Sequence, residues 1–172
     1  MEKGYIHIYT GNGKGKTTAA FGLALRAICS GKKVYIGQFV KSMKYNETKI
    51  ETSYPKQICI EQYGRDCFIN HDPEKIDVDM AQKGLEKITD IIMSEAYDLV
   101  ILDEVTIAIY YKLITTDQLI KILKNKPQSC ELVITGRYAP NELYQYADLI
   151  TEMQEVKHYY QEGVLSRDGI DR

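Results

Sequence analysis

Short apolar runs alternate with longer amphipathic stretches along this chain of 172 residues. The short runs are rich in Val, Ile, Leu and Tyr, which is typical of buried or half-buried strands. Six strands are predicted in this way, at residues 5–9, 33–39, 57–63, 98–103, 131–135 and 148–151. Apolar residues at a helical period predict helices at 16–30 and 75–96. A capping box formed by Thr115 and Gln118 predicts a helix through 124, and Pro140 at a first helical position predicts a short helix at 140–146. Residues 41–55 and those after 151 show neither period, so irregular structure is expected there.

This alternation predicts an α/β fold with a mostly parallel central sheet flanked by helices. The length is that of a single domain, which we expect to span residues 1–172. Ligands of such sheets bind beyond the carboxyl ends of the strands. Polar clusters follow four of the predicted strands at that edge, and they lie at residues 10–18, 38–39, 103–104 and 135–137.

The first cluster, TGNGKGKTT at 10–18, joins a strand to a helix and predicts a loop that binds phosphate. Glycine lets the chain approach an anion closely, and the N–H groups of the helix start point towards it. Lys16 is expected to reach the outer phosphates and Thr17 to bind Mg²⁺. The strict pattern has glycine where Thr10 stands. A glycine-rich turn without a ligand is the alternative.

Two further clusters carry charges suited to a nucleotide. Asp103 ends an apolar strand, as the Walker B carboxylate near a metal does, and Glu104 follows it. Glu104 is a candidate for holding Mg²⁺ through water or for orienting a water. Alternatively, both acids only cap the next helix. Arg137 is a candidate for contacting phosphates, and Arg26 fits a surface residue as well as a nucleotide contact.

Composition narrows the functional classes. A formal charge of −2 argues against a general binder of nucleic acid or of anionic membranes. No apolar run approaches the roughly 20 residues that span a bilayer. Four scattered cysteines without a CxxC pair predict reduced thiols in a cytoplasmic protein. GxSxG and HExxH motifs are absent from the sequence, so it predicts nucleotide binding but offers no evident protein nucleophile.

Motifs along nearly the whole chain resemble those of the P-loop ATP:corrinoid adenosyltransferases of cobalamin biosynthesis and salvage. They are TGNGKGKTTAAFGLALRA at 10–27, GQFVK at 37–41, LDE at 102–104, TGRYAPNEL at 135–143, ADLITEM at 147–153, KH at 157–158 and GVLSRDGID at 163–171. Thr10 in place of the first glycine is that family's own variant of the loop.

The resemblance implies a RecA-like P-loop fold, usually as a homodimer. It also implies transfer of the 5′-deoxyadenosyl group of ATP to the Co(I) of cobalamin or cobinamide, with release of triphosphate. The reduced corrinoid would then be the nucleophile, and an external flavin-type reductant would supply the electron. Binding of nucleic acid or membrane is not expected.

The resemblance also assigns roles to individual residues. The triphosphate would be wrapped by Gly11, Asn12, Gly13, Lys14, Gly15, Lys16, Thr17 and Thr18. Mg²⁺ or Mn²⁺ would be held by Thr17 and Glu104 with Asp103 in support. Arg26, Gln38 and Arg137 would lie near the nucleotide, and Lys41 at the mouth of the site.

The loop after Tyr63 departs from the family pattern. The family places there an aromatic pair that excludes the lower axial ligand of the corrinoid, whereas this loop has Phe68 and no tryptophan. Phe68 is therefore the candidate wedge, meaning the side chain that takes the place of the lower axial ligand, with Arg65 or Ile69 as its neighbour. The alternative is that Phe68 packs the loop onto the sheet. The preferred corrinoid stays open for the same reason.

Two other functions fit a phosphate loop. A RecA-like ATPase would use Glu104 to activate water, and a small-molecule kinase would phosphorylate an acceptor. The short chain carries no basic segment for a nucleic-acid strand and no evident lid or acceptor base, which argues against both.

Overall fold

Six strands form one sheet in the computed structural model, which describes residues 2–43, 45–65 and 73–171. The strands are β1 (Ile6–Thr10), β2 (Val34–Phe39), β3 (Ile58–Tyr63), β4 (Leu99–Asp103), β5 (Glu131–Thr135) and β6 (Leu149–Glu152). They are ordered β3-β2-β4-β5-β1-β6, and every neighbouring pair is parallel. The predicted α/β class is confirmed, and the order fits a RecA-like P-loop fold.

Helices cover both faces of this sheet. They are α1 (Lys16–Cys29), α2 (Ile50–Ser53), α3 (Lys75–Met93), α4 (Val105–Tyr110) and α5 (Thr116–Asn125). On one face α1 packs its buried side chains, among them Phe21 and Ile28, against strand residues such as Ile101. On the other face α3 and α5 enclose the larger apolar cluster, which contains Ile88 and Leu119. Burial of these apolar surfaces drives the layers together.

Three short segments differ from the sequence-based expectations. Residues 41–55 were expected to be irregular, but Asn46–Lys49 forms a 3₁₀ turn that continues into α2. The helix expected at 140–146 is a 3₁₀ turn at Asn141–Tyr146, and α4 was not predicted. All are one or two turns long, too short to display a helical period. A further 3₁₀ turn lies at Tyr159–Glu162.

The strand register brings the predicted polar clusters to one edge. Gln38 lies opposite Asp103 in the β2–β4 ladder, and Tyr9 lies opposite Thr135 in the β1–β5 ladder. The loop after β1 and the turns after β2, β4 and β5 therefore meet at the carboxyl edge of the sheet. Among the described helices, none has both the length and the apolar character needed to cross a bilayer.

Candidate functional site

The loop after β1 closes around the side chain of Lys16. Gly11 and Gly15 have φ angles of +97° and +122°, a region that glycine enters without a steric penalty. Lys16 is 5% exposed, and its Nζ donates hydrogen bonds to the carbonyl oxygens of Gly11 at 2.8 Å and Gly13 at 2.7 Å. The loop therefore holds a buried ammonium group directly beside the N-terminus of α1, where an anion is favoured.

The chain that follows β6 supports this loop from outside. The N–H of Gly13 donates to the carbonyl oxygen of Met153 at 2.7 Å, and the N–H of Met153 donates to Thr10 at 2.8 Å. A Cβ on Gly11 would lie 2.4 Å from the Met153 carbonyl oxygen, and one on Gly13 would lie 2.8 Å from the backbone of Gln154. Glycine is therefore required at both positions by close backbone approach.

Asp103 is completely buried at the centre of the site. Its Oδ1 accepts hydrogen bonds from the hydroxyl of Thr17 at 2.9 Å and from that of Thr135 at 2.7 Å. Its Oδ2 accepts from Gln38 Nε2 at 3.0 Å and from Lys41 Nζ at 2.7 Å. Four different segments of the carboxyl edge are thus joined through one carboxylate.

The charges of Asp103 and Lys41 stabilise each other. Burial raises the pKa of Asp103, but the Lys41 charge and the hydrogen bonds from Lys41, Thr135 and Thr17 outweigh it, and the net pKa is lowered. Burial lowers the pKa of Lys41, but the charges of Asp103 and Glu104 outweigh it, and the net pKa is raised. Both groups are therefore charged at neutral pH.

Glu104 has a strained backbone and a different electrostatic environment. Its φ of +59° lies in the left-handed region, and its N–H donates to the Thr135 hydroxyl at 2.9 Å. Burial raises the pKa of Glu104, and the neighbouring Asp103 charge raises it further, against the charges of Lys41, Lys16 and Arg137. Strain and a perturbed pKa together are typical of a functional carboxylate.

Arg137 and Lys16 add positive charge near Glu104. Burial lowers the pKa of Lys16; the Glu104 charge opposes this effect and the Arg137 charge adds to it. The backbone at Arg137 is fixed by Thr106, whose hydroxyl donates to the Arg137 carbonyl oxygen at 2.7 Å. A Cβ on Gly136 would lie 2.2 Å from the Thr106 hydroxyl oxygen, so this turn also requires glycine.

The donor set fits Mg²⁺ bound mainly by phosphate oxygens and water. Thr17 gives its hydroxyl proton to Asp103 and accepts a long hydrogen bond from Lys41 Nζ at 3.4 Å, which leaves one oxygen lone pair of Thr17 for a cation. Asp103 already accepts four hydrogen bonds, so its direct ligation is disfavoured. Within the described ranges, no group of three or more His, Cys, Asp or Glu side chains could hold a metal ion. A cation with few protein ligands, such as Mg²⁺ on a nucleotide, fits this arrangement.

The other predicted site residues are placed as follows. Asn12 and Thr18 lie exposed in or beside the loop, and Gln38 is buried against Asp103. Arg26 is exposed on the last turn of α1, away from the helix start. Phe68, the candidate wedge, and its candidate neighbour Ile69 lie outside the described residues.

Arg65, the other candidate neighbour of the wedge, is paired with acidic groups. Its Nε and Nη2 donate to the two carboxylate oxygens of Asp77 at 2.8 Å each, and Nη2 lies 2.9 Å from Glu74. Asp77 and Glu74 also form the capping box of α3. Arg65 thereby ties the end of the β3 strand region to the start of α3.

Sequence reasoning missed two sets of residues. Thr135 was noted only as part of a polar cluster, yet it contacts both Asp103 and the backbone of Glu104. Tyr159 and Asp171 were not selected, although both contact Lys14 of the phosphate loop. The hydroxyl at the end of β5 could have indicated Thr135. Asp171 ends the GVLSRDGID stretch at 163–171, but nothing in that stretch indicates a contact with Lys14.

Comparison with known proteins gives a consistent result over the chain. The model of the family described as ATP:corrinoid adenosyltransferase BtuR/CobO/CobP matches residues 2–171. The corrinoid adenosyltransferase of Sinorhizobium sp is 35% identical over 173 residues, covering 99% of this chain and 81% of the relative. That of Escherichia coli K12 is 31% identical, and corrinoid adenosyltransferase CobA of Salmonella typhimurium is 33% identical. Each of these two matches covers 99% of this chain and 86% of the relative.

Proposed function

This chain belongs to the ATP:corrinoid adenosyltransferase family, and we propose that it moves the 5′-deoxyadenosyl group of ATP onto the Co(I) of a reduced corrinoid. The electron pair of Co(I) forms the bond to C5′, the C5′–O bond breaks, and triphosphate leaves with that bond's electrons. Because the corrinoid is the nucleophile, the protein has to hold ATP, orient C5′ and stabilise the leaving group.

The observation that carries the proposal is the phosphate loop closed around Lys16 beside the Thr17–Asp103–Lys41 cluster. Lys16 exchanges the loop carbonyls for phosphate oxygens when the triphosphate arrives. The N–H groups at the start of α1 and the side chain of Arg137 add positive potential around the leaving group. In this arrangement the residues from Gly11 to Thr18 wrap the triphosphate.

Thr17 and Glu104 would hold Mg²⁺ or Mn²⁺, with Asp103 as support through Thr17. The cation would neutralise negative charge on the phosphates as the C5′–O bond breaks. Asp103 keeps the Thr17 hydroxyl oriented and keeps Lys41 at the mouth of the site. Arg26 and Gln38 stay candidates for the nucleoside side.

The proposal extends to partners and location. We infer a homodimer, an external flavin-type reductant that makes Co(I) from Co(II), and a cytoplasmic location. Among the described cysteines, Cys29, Cys59 and Cys130 are free thiols, which supports a reducing compartment. Phe68 stays the candidate for displacing the lower axial ligand. The alternative of a RecA-like ATPase is not favoured, because the three relatives compared above are named corrinoid adenosyltransferases.

The deciding experiment is anaerobic incubation of the protein with ATP, Mg²⁺ and chemically reduced cobalamin. We expect the visible spectrum to change to that of a Co–C bond and inorganic triphosphate to appear in equal amount. Lys16→Ala serves as the control variant. Losing one charge-assisted contact worth about 1.5–3 kcal/mol predicts a decrease in rate of at least about ten- to hundredfold. Formation of ADP and phosphate without a Co–C bond, or wild-type activity in folded Lys16→Ala, would overturn the proposal.

A further inference from the structure

The C-terminal segment, defined here as residues 153–171, contacts the phosphate loop through both the first and the last residues of the segment. At its start the Met153 carbonyl oxygen accepts the N–H of Gly13 at 2.7 Å. At its end Ile170 and Asp171 contact the side chain of Lys14. Lys14 lies 156 and 157 positions away from these residues in sequence, so only the fold brings them together.

All three hydrogens of the Lys14 ammonium group have acceptors in this segment. Nζ donates to the Tyr159 hydroxyl at 2.9 Å, to the Ile170 carbonyl oxygen at 3.0 Å and to the Asp171 carboxylate. Nζ also lies 5.6 Å from the centroid of the Tyr159 ring. A lysine on an exposed loop ordinarily samples many rotamers, whereas these contacts hold Lys14 in one position.

Asp171 is itself held by several donors. Its carboxylate accepts the backbone N–H of Arg167 at 3.0 Å, the Arg167 Nε at 3.2 Å and the Tyr159 hydroxyl, and its side chain is 11% exposed. The Arg167 guanidinium also lies 4.7 Å from the Tyr159 ring centroid. The charges of Lys14, Arg167 and Asp171 leave one net positive charge in the cluster. The potential beside the phosphate loop therefore still attracts an anion.

A second anchor ties the segment to the opposite side of the site. The side-chain amide of Asn46 donates to the carboxylate of Asp168 at 2.7 Å. Asn46 lies in the 3₁₀ turn that follows β2 and Lys41. The C-terminal segment thus connects the phosphate loop to the turn on the Lys41 side.

We propose that Asp171 is a positioning residue for ATP, which holds the Lys14 ammonium group in place to serve the phosphate loop, with Tyr159 as its second support. This inference rests on the proposed function, because it takes the triphosphate as the ligand of the loop. Asp171 acts through Lys14 and lowers the ordering cost of binding, so it affects ATP affinity rather than the transfer step. If the Asp171 carboxylate instead competed with phosphate for Lys14, removal of the Asp171 charge would make ATP bind more tightly.

The test compares Asp171→Asn with Glu162→Gln, which also removes one negative charge from the C-terminal segment. Glu162 is exposed and pairs with the exposed Lys157 at 2.8 Å, away from Lys14 and Asn46. We expect Asp171→Asn to raise KM for ATP about three- to tenfold with kcat unchanged, because one charge-assisted contact at a partly exposed site is lost. Glu162→Gln should stay within about twofold of wild type, because exposed ion pairs contribute little. Asp171→Glu should recover part of the affinity. Equal KM values for Asp171→Asn and Glu162→Gln, or a KM for Asp171→Asn below that of the wild type, would overturn the inference.

A double-mutant cycle separates positioning from a merely structural role. In a Lys14→Ala background, Asp171→Asn should have no further effect on KM, since its effect passes through Lys14. Additive effects, or a kcat that falls together with thermal stability, would show that the segment only supports the fold. Direct ATP binding by Lys16→Ala serves as a separate control. Retained ATP affinity in Lys16→Ala refutes the proposed function, whereas lost affinity there with an unaffected Asp171→Asn refutes only the role of Asp171.

Discussion

Replacing Lys41 by Met should destabilise the protein through Asp103. The substitution keeps most of the aliphatic stem but removes the ammonium group that lies 2.7 Å from the completely buried carboxylate. Breaking a buried ion pair by removing one partner costs about 3–5 kcal/mol. Asp103 keeps three hydrogen bonds, from Thr17, Thr135 and Gln38, so the lower end of that range applies. We expect a loss of about 3 kcal/mol in the free energy of unfolding.

For a domain of this size, about 3 kcal/mol corresponds to a decrease in Tm of roughly 6–12 °C. The measurement is urea-induced and thermal unfolding in EDTA without nucleotide, so that neither metal nor ATP contributes to stability. Lys83→Met is the matched control, because Lys83 is exposed on α3. The control should lie within about 0.5 kcal/mol of wild type.

The pH dependence tests the cause of the loss. In the wild type, Lys41 and the hydrogen bonds overcome burial and lower the pKa of Asp103 below its ordinary value of 3.8. A lowered pKa contributes stability above that ordinary value, and the contribution is lost as the pH falls through the folded-state pKa. In Lys41→Met, burial is no longer offset by Lys41, and we expect the pKa of Asp103 to rise. The buried charge then destabilises the variant at neutral pH, and protonation relieves it as the pH falls.

The difference in stability between wild type and Lys41→Met should therefore be largest near neutral pH and decrease towards about pH 4. The reasoning would be refuted by a variant as stable as Lys83→Met at neutral pH. A large difference that does not change between neutral pH and about pH 4 would also refute it, because packing rather than the buried charge would then be responsible.

Three further predictions concern other residues. Glu104→Gln should raise KM for ATP, because a charge that supports the metal is lost, and excess Mg²⁺ or Mn²⁺ should restore part of the affinity. Tight ATP binding together with complete loss of ADP production would instead favour the ATPase function. Phe68→Ala should greatly reduce adenosylation with a flavin-type reductant but much less with preformed cob(I)alamin; equal losses with a lowered Tm would mean that Phe68 only packs. Iodoacetamide should label the exposed Cys29 in native protein, whereas Cys130, whose pKa burial raises to about 11, should react only in urea; equal native rates would contradict this.

The sheet and the position of the site follow from local patterns. Each predicted strand reappears with its ends shifted by no more than one residue, because short apolar or alternating runs between turn residues are typical of strands. Once the strands are parallel, their carboxyl ends share an edge, so the glycine loop and Asp103 lie at the same edge of the sheet. Their contact also depends on the strand order, in which only β5 separates β1 from β4. The turns at Asn46–Lys49 and Tyr159–Glu162 could not be predicted in this way, because four residues are too few to show a periodic pattern of apolar positions.

The sequence did not predict which side chains pair with each other. Gln38 was expected near the nucleotide, and its strand-end position is as predicted, but its described partners are Asp103 and Gln62. The same limit applies to Lys14, whose loop position follows from its spacing while its three acceptors come from the far end of the chain. Spacing determines where a side chain emerges from the fold. Its partner depends on contacts between segments that are distant in sequence, and a buried carboxylate such as Asp103 requires donors from several of them at once.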